Sequence, residues 1–251
     1  MPVLHEVDGD GVMVVTLDRP ERLNALDVPS KQRLGELWQS AADDARVRVI
    51  ILRGAGERAF CAGSDIKEIQ RTGVMVTTEI LMRAIPGVGV ALDKPVIAAL
   101  HGFTVGFGLT LAIHCDYRIA AQGTRFSFPE VQHGMISGVS AITLPGIIGE
   151  SAALDLMLSG RMIDTQEALA MRLINRVAVD PYAEARTLAQ TLAKNSPDAV
   201  ALTKELILAD RRKRIAEFAG LIDRARAGVT KSPEYKDVVS QRPGAGRARV
   251  D

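Results

Sequence analysis

The chain has 251 residues, of which 47% are hydrophobic, and its formal net charge at pH 7 is +1. That length suits one large domain or one domain with a small appendage, and the apolar content is enough for a substantial core. A nearly neutral chain has no overall field that would favour nucleic acid or an anionic membrane surface, so neither is expected as a partner.

Strands and helices alternate through the N-terminal part of the chain. Apolar, β-branched runs between turn residues predict strands at Val12–Leu17, Val47–Leu52, Val96–Leu100 and Tyr117–Ala120. Helical periodicity predicts helices at Ser30–Ala42, Ile66–Arg71, Gly108–His114 and Glu150–Ser159. The alternation favours an α/β domain with parallel strands buried under helices.

Only helices are predicted from residue 181 onward. They cover Tyr182–Lys194, Pro197–Leu208, Asp210–Arg226 and Tyr235–Ser240. We therefore divide the chain into a core of residues 1–180 and a helical region of residues 181–251, which should dock on the core or on a neighbouring subunit. The basic run Arg211–Arg214 is expected to face solvent, and the C-terminal RPGAGRARVD is expected to form a mobile tail.

Several features bear on location and ligands. Cys61 and Cys115 lie in apolar segments, so two buried thiols in a cytoplasmic protein are expected rather than a disulfide. The N-terminal MPVLHEVDGDG lacks the apolar centre of a secretory signal. Residues 95–113 carry no charged side chain, but proline and glycines divide them into a strand and a helix, so a buried core is expected rather than a membrane span. The histidines and cysteines lack metal-ligand spacing, so no metal is expected.

Two segments share a strand–turn–helix pattern with small residues at the turn. They are AFCAGSDIKE at Ala59–Glu68 and PVIAALHGFTVGFGLTL at Pro95–Leu111. A helix start leaves backbone N–H groups without internal partners, and two such groups that converge on one oxygen form an oxyanion hole. For either segment taken alone, an ordinary tight strand-to-helix connection is the favoured interpretation.

Five ordered motifs together resemble the crotonase family, the enoyl-CoA hydratase/isomerase superfamily, over roughly Val12 to Gln241. The motifs are RPERLNAL (Arg19–Leu26), AFCAGSDIKE (Ala59–Glu68), HGFTVGFG (His101–Gly108), CDYRIAA (Cys115–Ala121) and FSFPEVQHG (Phe126–Gly134). The resemblance implies a spiral of ββα units with a C-terminal helical region, assembled as a homotrimer or a dimer of trimers. It also implies an acyl-CoA thioester substrate, with coenzyme A as part of the substrate and no tightly bound cofactor.

The same resemblance assigns roles to individual residues. The backbone N–H groups of Ser64 and Phe107 match the oxyanion hole, and Glu130 matches the catalytic glutamate. A carboxylate in an apolar pocket has a raised pKa, which suits acid–base work. Coenzyme A is expected to contact a set made of Ser64, Asp65, Ile66, Lys67 and Arg22, with Lys236 a weaker candidate for its phosphates.

Thr110 departs from the family pattern, because hydratases of the family carry a second glutamate at that position. A threonine hydroxyl binds water but does not take its proton at neutral pH. Ser137 also stands where proline is common, and His133 could supply a second titrating group near Glu130 or be structural. Hydration of a 2-enoyl-CoA and double-bond isomerisation therefore both stay open.

Other readings remain beside these two. Thioester hydrolysis, decarboxylation and C–C cleavage are further reactions of the family that pass through an enolate. A member that binds coenzyme A or RNA without catalysis is the alternative from another class of protein.

Overall fold

The computed structural model describes residues 2–72 and 76–240. Within those residues the strands are β1 (Val3–Val7), β2 (Val12–Leu17), β3 (Val49–Gly54), β4 (Ala59–Cys61), β5 (Val96–Leu100), β6 (Phe103–Val105), β7 (Tyr117–Ala121), β8 (Arg125–Ser127) and β9 (Arg176–Ala178). The helices are α1 (Val28–Asp43), α2 (Ile66–Thr72), α3 (Thr78–Ala84), α4 (Phe107–His114), α5 (Gly138–Thr143), α6 (Pro145–Ile148), α7 (Glu150–Ser159), α8 (Thr165–Ala170), α9 (Pro181–Ala193), α10 (Pro197–Val229) and α11 (Pro233–Ser240). Short 3-10 helices cover Pro20–Arg22 and Pro129–His133.

The strands form two sheets. The larger has the order β1-β2-β3-β5-β7-β9, in which β1 is antiparallel to β2 and every other pair is parallel. The smaller contains β4, β6 and β8, all parallel. The chain thus alternates between the sheets: each of β3, β5 and β7 is followed by one short strand of the smaller sheet and then by a helix. The α/β class with repeated ββα units is confirmed.

The core lies on both faces of the larger sheet. On one face, α1 and α4 pack against it, and the buried indole of Trp38 donates a hydrogen bond to the carbonyl of Ala84 at 2.7 Å. On the other face, α9 covers the central strands with Ala185 and Ala189. Because β3 and β5 are buried on both faces, their sequences are continuous apolar runs rather than alternating ones.

The predicted strands and helices are found, with some shifts. Strand β3 begins at Val49, two residues after the predicted start. The two helices predicted around Asp210 are one helix of 33 residues, α10, because Asp210 lies on its exposed side. The division at residue 180 stays a prediction, and the predicted mobile tail lies outside the described residues.

The expectation that Arg211–Arg214 faces solvent is wrong for most of that run. Only Lys213 is exposed, whereas the three arginines are half-buried. Arg211 borders a cavity that Asp116 also lines, and the negative charge of Asp116 favours the charged guanidinium. A helix that packs along the core must bury part of one face, and arginine stems cover apolar surface well.

Two further expectations concern apolar segments. Residues 95–113 are divided among β5, β6 and α4. Within residues 2–72 and 76–240, no helix combines the length and the apolar character needed to cross a bilayer.

Cys61 and Cys115 are both buried and free, as predicted, and burial raises the pKa of each thiol to about 12.

Candidate active site

The turn between β4 and α2 forms the first half of the site. Gly63 has a φ of +104°, a conformation that suits glycine. Leu26 then pairs with the turn on both sides of Ser64: its N–H donates to the carbonyl of Gly63 at 2.8 Å, and its carbonyl accepts from the N–H of Asp65 at 3.0 Å. The carbonyl of Gly63 and the N–H of Ser64 belong to one trans peptide unit, so they point in opposite directions. The N–H of Ser64 therefore faces away from Leu26, and Ser64 borders a cavity.

The RPERLNAL motif holds this turn in place. The Arg19 guanidinium forms an ion pair with Asp65 at 3.0 Å. The Asn24 amide donates to the carbonyls of Ala55 and Ala59 at 2.9 and 2.8 Å, which ties the β3–β4 connection. RPERLNAL thus fixes the position of AFCAGSDIKE through these side-chain bonds. The sequence alone does not reveal that role.

The start of α4 forms the second half. Gly106 has φ +56° and ψ −124°, and Phe107 is the first residue of the helix. A Cβ placed on Gly63 would lie 3.4 Å from the backbone nitrogen of Phe107, so the two turns are in close contact. Within the described chain, neither the Ser64 nor the Phe107 N–H donates a hydrogen bond to a protein acceptor. Two free donors at one cavity are what an oxyanion hole requires.

Glu130 borders the same cavity from the 3-10 helix Pro129–His133. A Cβ placed on Gly106 would lie 3.1 Å from its Oε1, which puts the carboxylate beside the second turn. The hydroxyl of Ser137 donates to that same Oε1 at 2.5 Å. Oε2 is shielded from solvent and has no hydrogen-bond partner within the described chain. Burial raises the pKa of Glu130, and the Ser137 hydrogen bond opposes that rise.

Thr110 borders the same cavity from α4 and is 3% exposed. Its hydroxyl lies 2.8 Å from the hydroxyl of Ser140 and 3.3 Å from the carbonyl of Gly106. A pair of hydroxyl groups therefore stands where the resemblance would place a second carboxylate. Such groups can orient a water molecule, but they leave Glu130 as the carboxylate of the site.

The cavity has a volume of about 300 Å³ and is mainly apolar. Its ionisable lining residues in the described chain are Glu130, His133 and Arg226. The apolar lining comes from α2, from residues 76–85 in and around α3, from α10 and from the segment after Glu130. It includes Ile66, Ile69, Val76, Leu81, Ile85, Met135, Ile136, Val139, Ile222 and Val229. Phe107 also borders the cavity, so its ring narrows the space for an acyl group. His133 lies in the cavity wall, and its role stays open.

Lys31 on α1 is a buried cation behind the two turns. Its Nζ donates to the carbonyl of Leu26 at 2.7 Å and lies 5.5 Å from the centre of the Phe107 ring. Burial lowers the pKa of Lys31 to about 8, although nearby acidic groups, among them Glu68, act to raise it. Lys31 is therefore bonded to Leu26, which pairs with the first turn, and its charge lies near the ring of Phe107 at the second turn.

The residues predicted to contact coenzyme A differ in placement. Ser64 and Ile66 border the cavity, whereas Lys67 and Arg22 are exposed outside it. Asp65 is engaged within the protein, because its carboxylate binds Arg19 and its N–H donates to Leu26.

Lys236, the weaker candidate for the phosphates, is exposed on α11. That helix lies beside α2, to which Gln70 connects it by a 2.8 Å hydrogen bond to the carbonyl of Val238. Lys67 and Lys236 thus lie on neighbouring helices. Both remain predicted contacts.

Sequence reasoning missed three residues of the site. Lys31 lies in an ordinary helix start, Ser140 beyond the last of the five motifs, and Arg226 in a charged helix far along the chain. A lysine at a position with apolar helical periodicity was a usable signal for Lys31. In the described residues, no group of three His, Cys, Asp or Glu side chains could hold a metal ion.

Comparisons with known proteins agree with the resemblance. A family model described as enoyl-CoA hydratase/isomerase matches residues 8–224. The (E)-benzylidenesuccinyl-CoA hydratase of Thauera aromatica is 37% identical over 82% of this chain and 81% of its own. The carnitinyl-CoA dehydratase of Proteus mirabilis (strain HI4320) is 34% identical over 91% of this chain and 87% of its own.

Solved structures agree as well. An enoyl-CoA hydratase/isomerase from Pseudoalteromonas atlantica T6c superposes with a TM-score of 0.87 at 28% identity, covering 96% of each chain. A carnitinyl-CoA dehydratase from Mycobacterium avium 104 gives a TM-score of 0.82 at 29% identity over 94% of each chain. With its ββα spiral and a family match over most of its length, the chain belongs to the enoyl-CoA hydratase/isomerase family.

Proposed function

We propose that this enzyme adds water to the double bond of a 2-enoyl-CoA, or removes it in reverse, through an enolate of the thioester. The observation that carries the proposal is the position of Glu130, whose Oε1 lies beside Gly106 while two free backbone N–H groups border the same cavity. The thioester oxygen would accept hydrogen bonds from Ser64 and Phe107, which stabilise the negative charge of the enolate.

The proton balance needs one carboxylate. The Glu130 carboxylate takes a proton from water as the water oxygen bonds to the β-carbon, and the electron pair of the double bond moves to the thioester oxygen. The resulting carboxylic acid then returns that proton to the α-carbon as the carbonyl re-forms. The raised pKa of Glu130 suits both steps, because a group that takes and returns a proton works best with a pKa near the working pH.

Isomerisation of the double bond is the second candidate. Glu130 could remove a proton at one carbon and return it at another, and Thr110 in place of a second carboxylate favours that chemistry. The names of the relatives favour hydration, since they describe a hydratase and dehydratases. The Thr110–Ser140 hydroxyl pair also gives a water molecule a polar contact at the cavity wall. We therefore place hydration first.

The substrate would bring its own coenzyme A, with no tightly bound cofactor. Its proposed contacts are Ser64, Ile66, Lys67 and Arg22, with Asp65 acting through the turn that it holds. Exposed lysine and arginine side chains outside an apolar cavity can pair with phosphates while the acyl group enters.

A homotrimer or a dimer of trimers, in the cytoplasm, is the proposed state. Leu202, Leu206 and Ile207 on α10 are 59%, 79% and 73% exposed, which is unusual for large apolar side chains so close together. A second copy of the chain would cover them.

A mass-spectrometric screen of acyl-CoA thioesters tests the reaction class. Hydration predicts a 2-enoyl-CoA that gains the mass of water, and dehydration predicts the reverse. Loss of coenzyme A or of carbon dioxide would instead indicate hydrolysis or decarboxylation. Chromatography in the same screen separates isomers of unchanged mass, and a product of that kind alone would favour the second candidate.

A further inference from the structure

A single arginine borders the acyl cavity from the C-terminal half of α10. Ile222, Arg226 and Val229 lie four and three residues apart, which places them on one face of the helix, and all three line the cavity. Arg226 is half-buried. It is the only guanidinium among the described lining residues.

Two neutral groups orient this guanidinium. Nη1 donates to the hydroxyl of Thr78 at 2.5 Å, and Nη2 donates to the carbonyl of Val76 at 2.7 Å. Arginine has further N–H donors beyond these two. The nearest acid along the helix, Asp223, is exposed to solvent, and Arg226 forms no ion pair within the described residues.

A partly buried cation without a counter-ion is unfavourable, since it has lost water without gaining a charge partner. Burial lowers the pKa of Arg226 for the same reason. Glu130 is not the standing partner, because the hydrogen bonds of Arg226 in the described chain go to Thr78 and Val76, and the proposed task of Glu130 is at the reacting carbons. The cavity therefore offers a fixed cation, in a mainly apolar wall, to an anion that enters from outside.

We propose that Arg226 binds a carboxylate carried by the acyl group, so that the substrate is a coenzyme A thioester of a dicarboxylic acid. The planar fork of an arginine matches a carboxylate and binds it through paired hydrogen bonds. That such a thioester is the substrate of the reaction rests on the proposed function. That Arg226 binds its carboxylate does not. The phosphates of coenzyme A are the other source of anions, and they are assigned to Lys67 and Arg22 outside the cavity.

The test compares direct binding of two saturated acyl-CoA thioesters of equal length, one ending in a carboxylate and one in a methyl group. Wild type should bind the carboxylate form about 10-fold to 100-fold more tightly, as charge-assisted hydrogen bonds allow. Arg226→Met should bring the ratio close to one. Arg226→Lys, which keeps the charge and loses the fork, should give an intermediate ratio.

Arg224→Met is the matched control, because Arg224 is exposed on the same helix. It should keep the wild-type ratio. Equal affinity of wild type for the two thioesters overturns the proposal. It is also overturned if Arg226→Met weakens both thioesters and free coenzyme A by the same factor, since that result assigns Arg226 to a phosphate or to a purely structural role.

A turnover measurement separates this inference from the proposed function. The substrates are two 2-enoyl-CoA thioesters of equal length, one with a terminal carboxylate and one with a terminal methyl group on the acyl chain, and kcat/KM for hydration is measured for each. A binding ratio that depends on Arg226, without hydration of either compound, would support the carboxylate site and reject hydration. Hydration of both compounds at equal kcat/KM, with equal binding, would support the proposed function and reject the carboxylate site.

Discussion

At the scale of residues, the acid–base property of the site depends on the small number of polar groups around the Glu130 carboxylate. Its carboxylate has one hydrogen-bond donor in the described chain, Ser137, and an apolar wall on the other side. Burial raises its pKa, so the ionised form that takes a proton from water is lost as the pH falls through this raised value. The rate should therefore fall at a higher pH than an ordinary glutamate would dictate.

Ser137→Ala should move the acidic limb of the kcat/KM profile to higher pH. The hydroxyl of Ser137 stabilises the ionised carboxylate, so its removal raises the pKa of Glu130 further. Ser140→Ala is the matched control, since Ser140 is bonded to Thr110 and not to Glu130. A limb that does not move, or that moves to lower pH, would mean that another group titrates there.

Residue-level prediction from the sequence was uneven for physical reasons. Ser64, Phe107 and Glu130 belong to continuous motifs, and the structure places all three at one cavity. Lys31 and Arg226 reach the site from α1 and α10, which are far from those motifs in sequence. Their position depends on how distant elements pack, and a single sequence does not contain that information.

At the scale of elements, the site lies where the chain passes from the larger sheet to the smaller sheet and then into a helix. The longer strands β3, β5 and β7 could be predicted because their buried apolar runs are long enough to recognise. The strands β4, β6 and β8 have three residues each; β4 is the strand part of the AFCAGSDIKE pattern, whereas β6 and β8 lie where no strand was predicted. Their pairing with one another, rather than local propensity, makes them strands.

Gly106→Ala tests whether catalysis requires a residue without a side chain at the turn before α4, next to Glu130. An added Cβ is strained at this φ and would crowd Oε1 of Glu130. The matched control is Gly123→Ala, which also has a positive φ, +81°, but open space around the new Cβ. Each change should cost about 1–3 kcal/mol of unfolding free energy, the cost of holding a residue with a Cβ in a sparsely populated backbone conformation.

The two alanine variants should differ in activity. Only Gly106→Ala should also lose about 100-fold in kcat/KM, because small misplacements of reacting groups are costly. Denaturant titration and steady-state kinetics on the same preparations give both quantities. Equal activity in the two variants would show that the contact between this turn and Glu130 does not matter for catalysis.

At the scale of the whole molecule, the exposed apolar side chains on α10 predict self-association. Leu206→Lys should reduce the mass measured by light scattering from that of a trimer or a dimer of trimers toward that of one chain. A charge placed in an apolar contact is unfavourable unless it finds a partner. Val179→Lys, at a fully exposed valine before α9, is the control and should leave the mass unchanged. A wild-type chain that is already monomeric would reject the proposed assembly.

The C-terminal helical region also forms part of the wall of the cavity. Residues of α10 close one side of it, and α9 covers the outer face of the larger sheet. That the helical region is a separate unit docked on the core or on a neighbouring subunit stays a prediction. Which face of α10 meets the cavity could not be predicted, since its charged residues occur on all sides of the helix.

The central claim is that Glu130 carries the proton, and Glu130→Gln tests it most directly. The amide is nearly the same size, so binding of a saturated acyl-CoA should change by less than about 3-fold while kcat/KM for the 2-enoyl-CoA falls by at least about 100-fold. Both values come from one preparation, by direct titration and by steady-state kinetics. Turnover close to that of the wild type, with binding intact, would contradict the account.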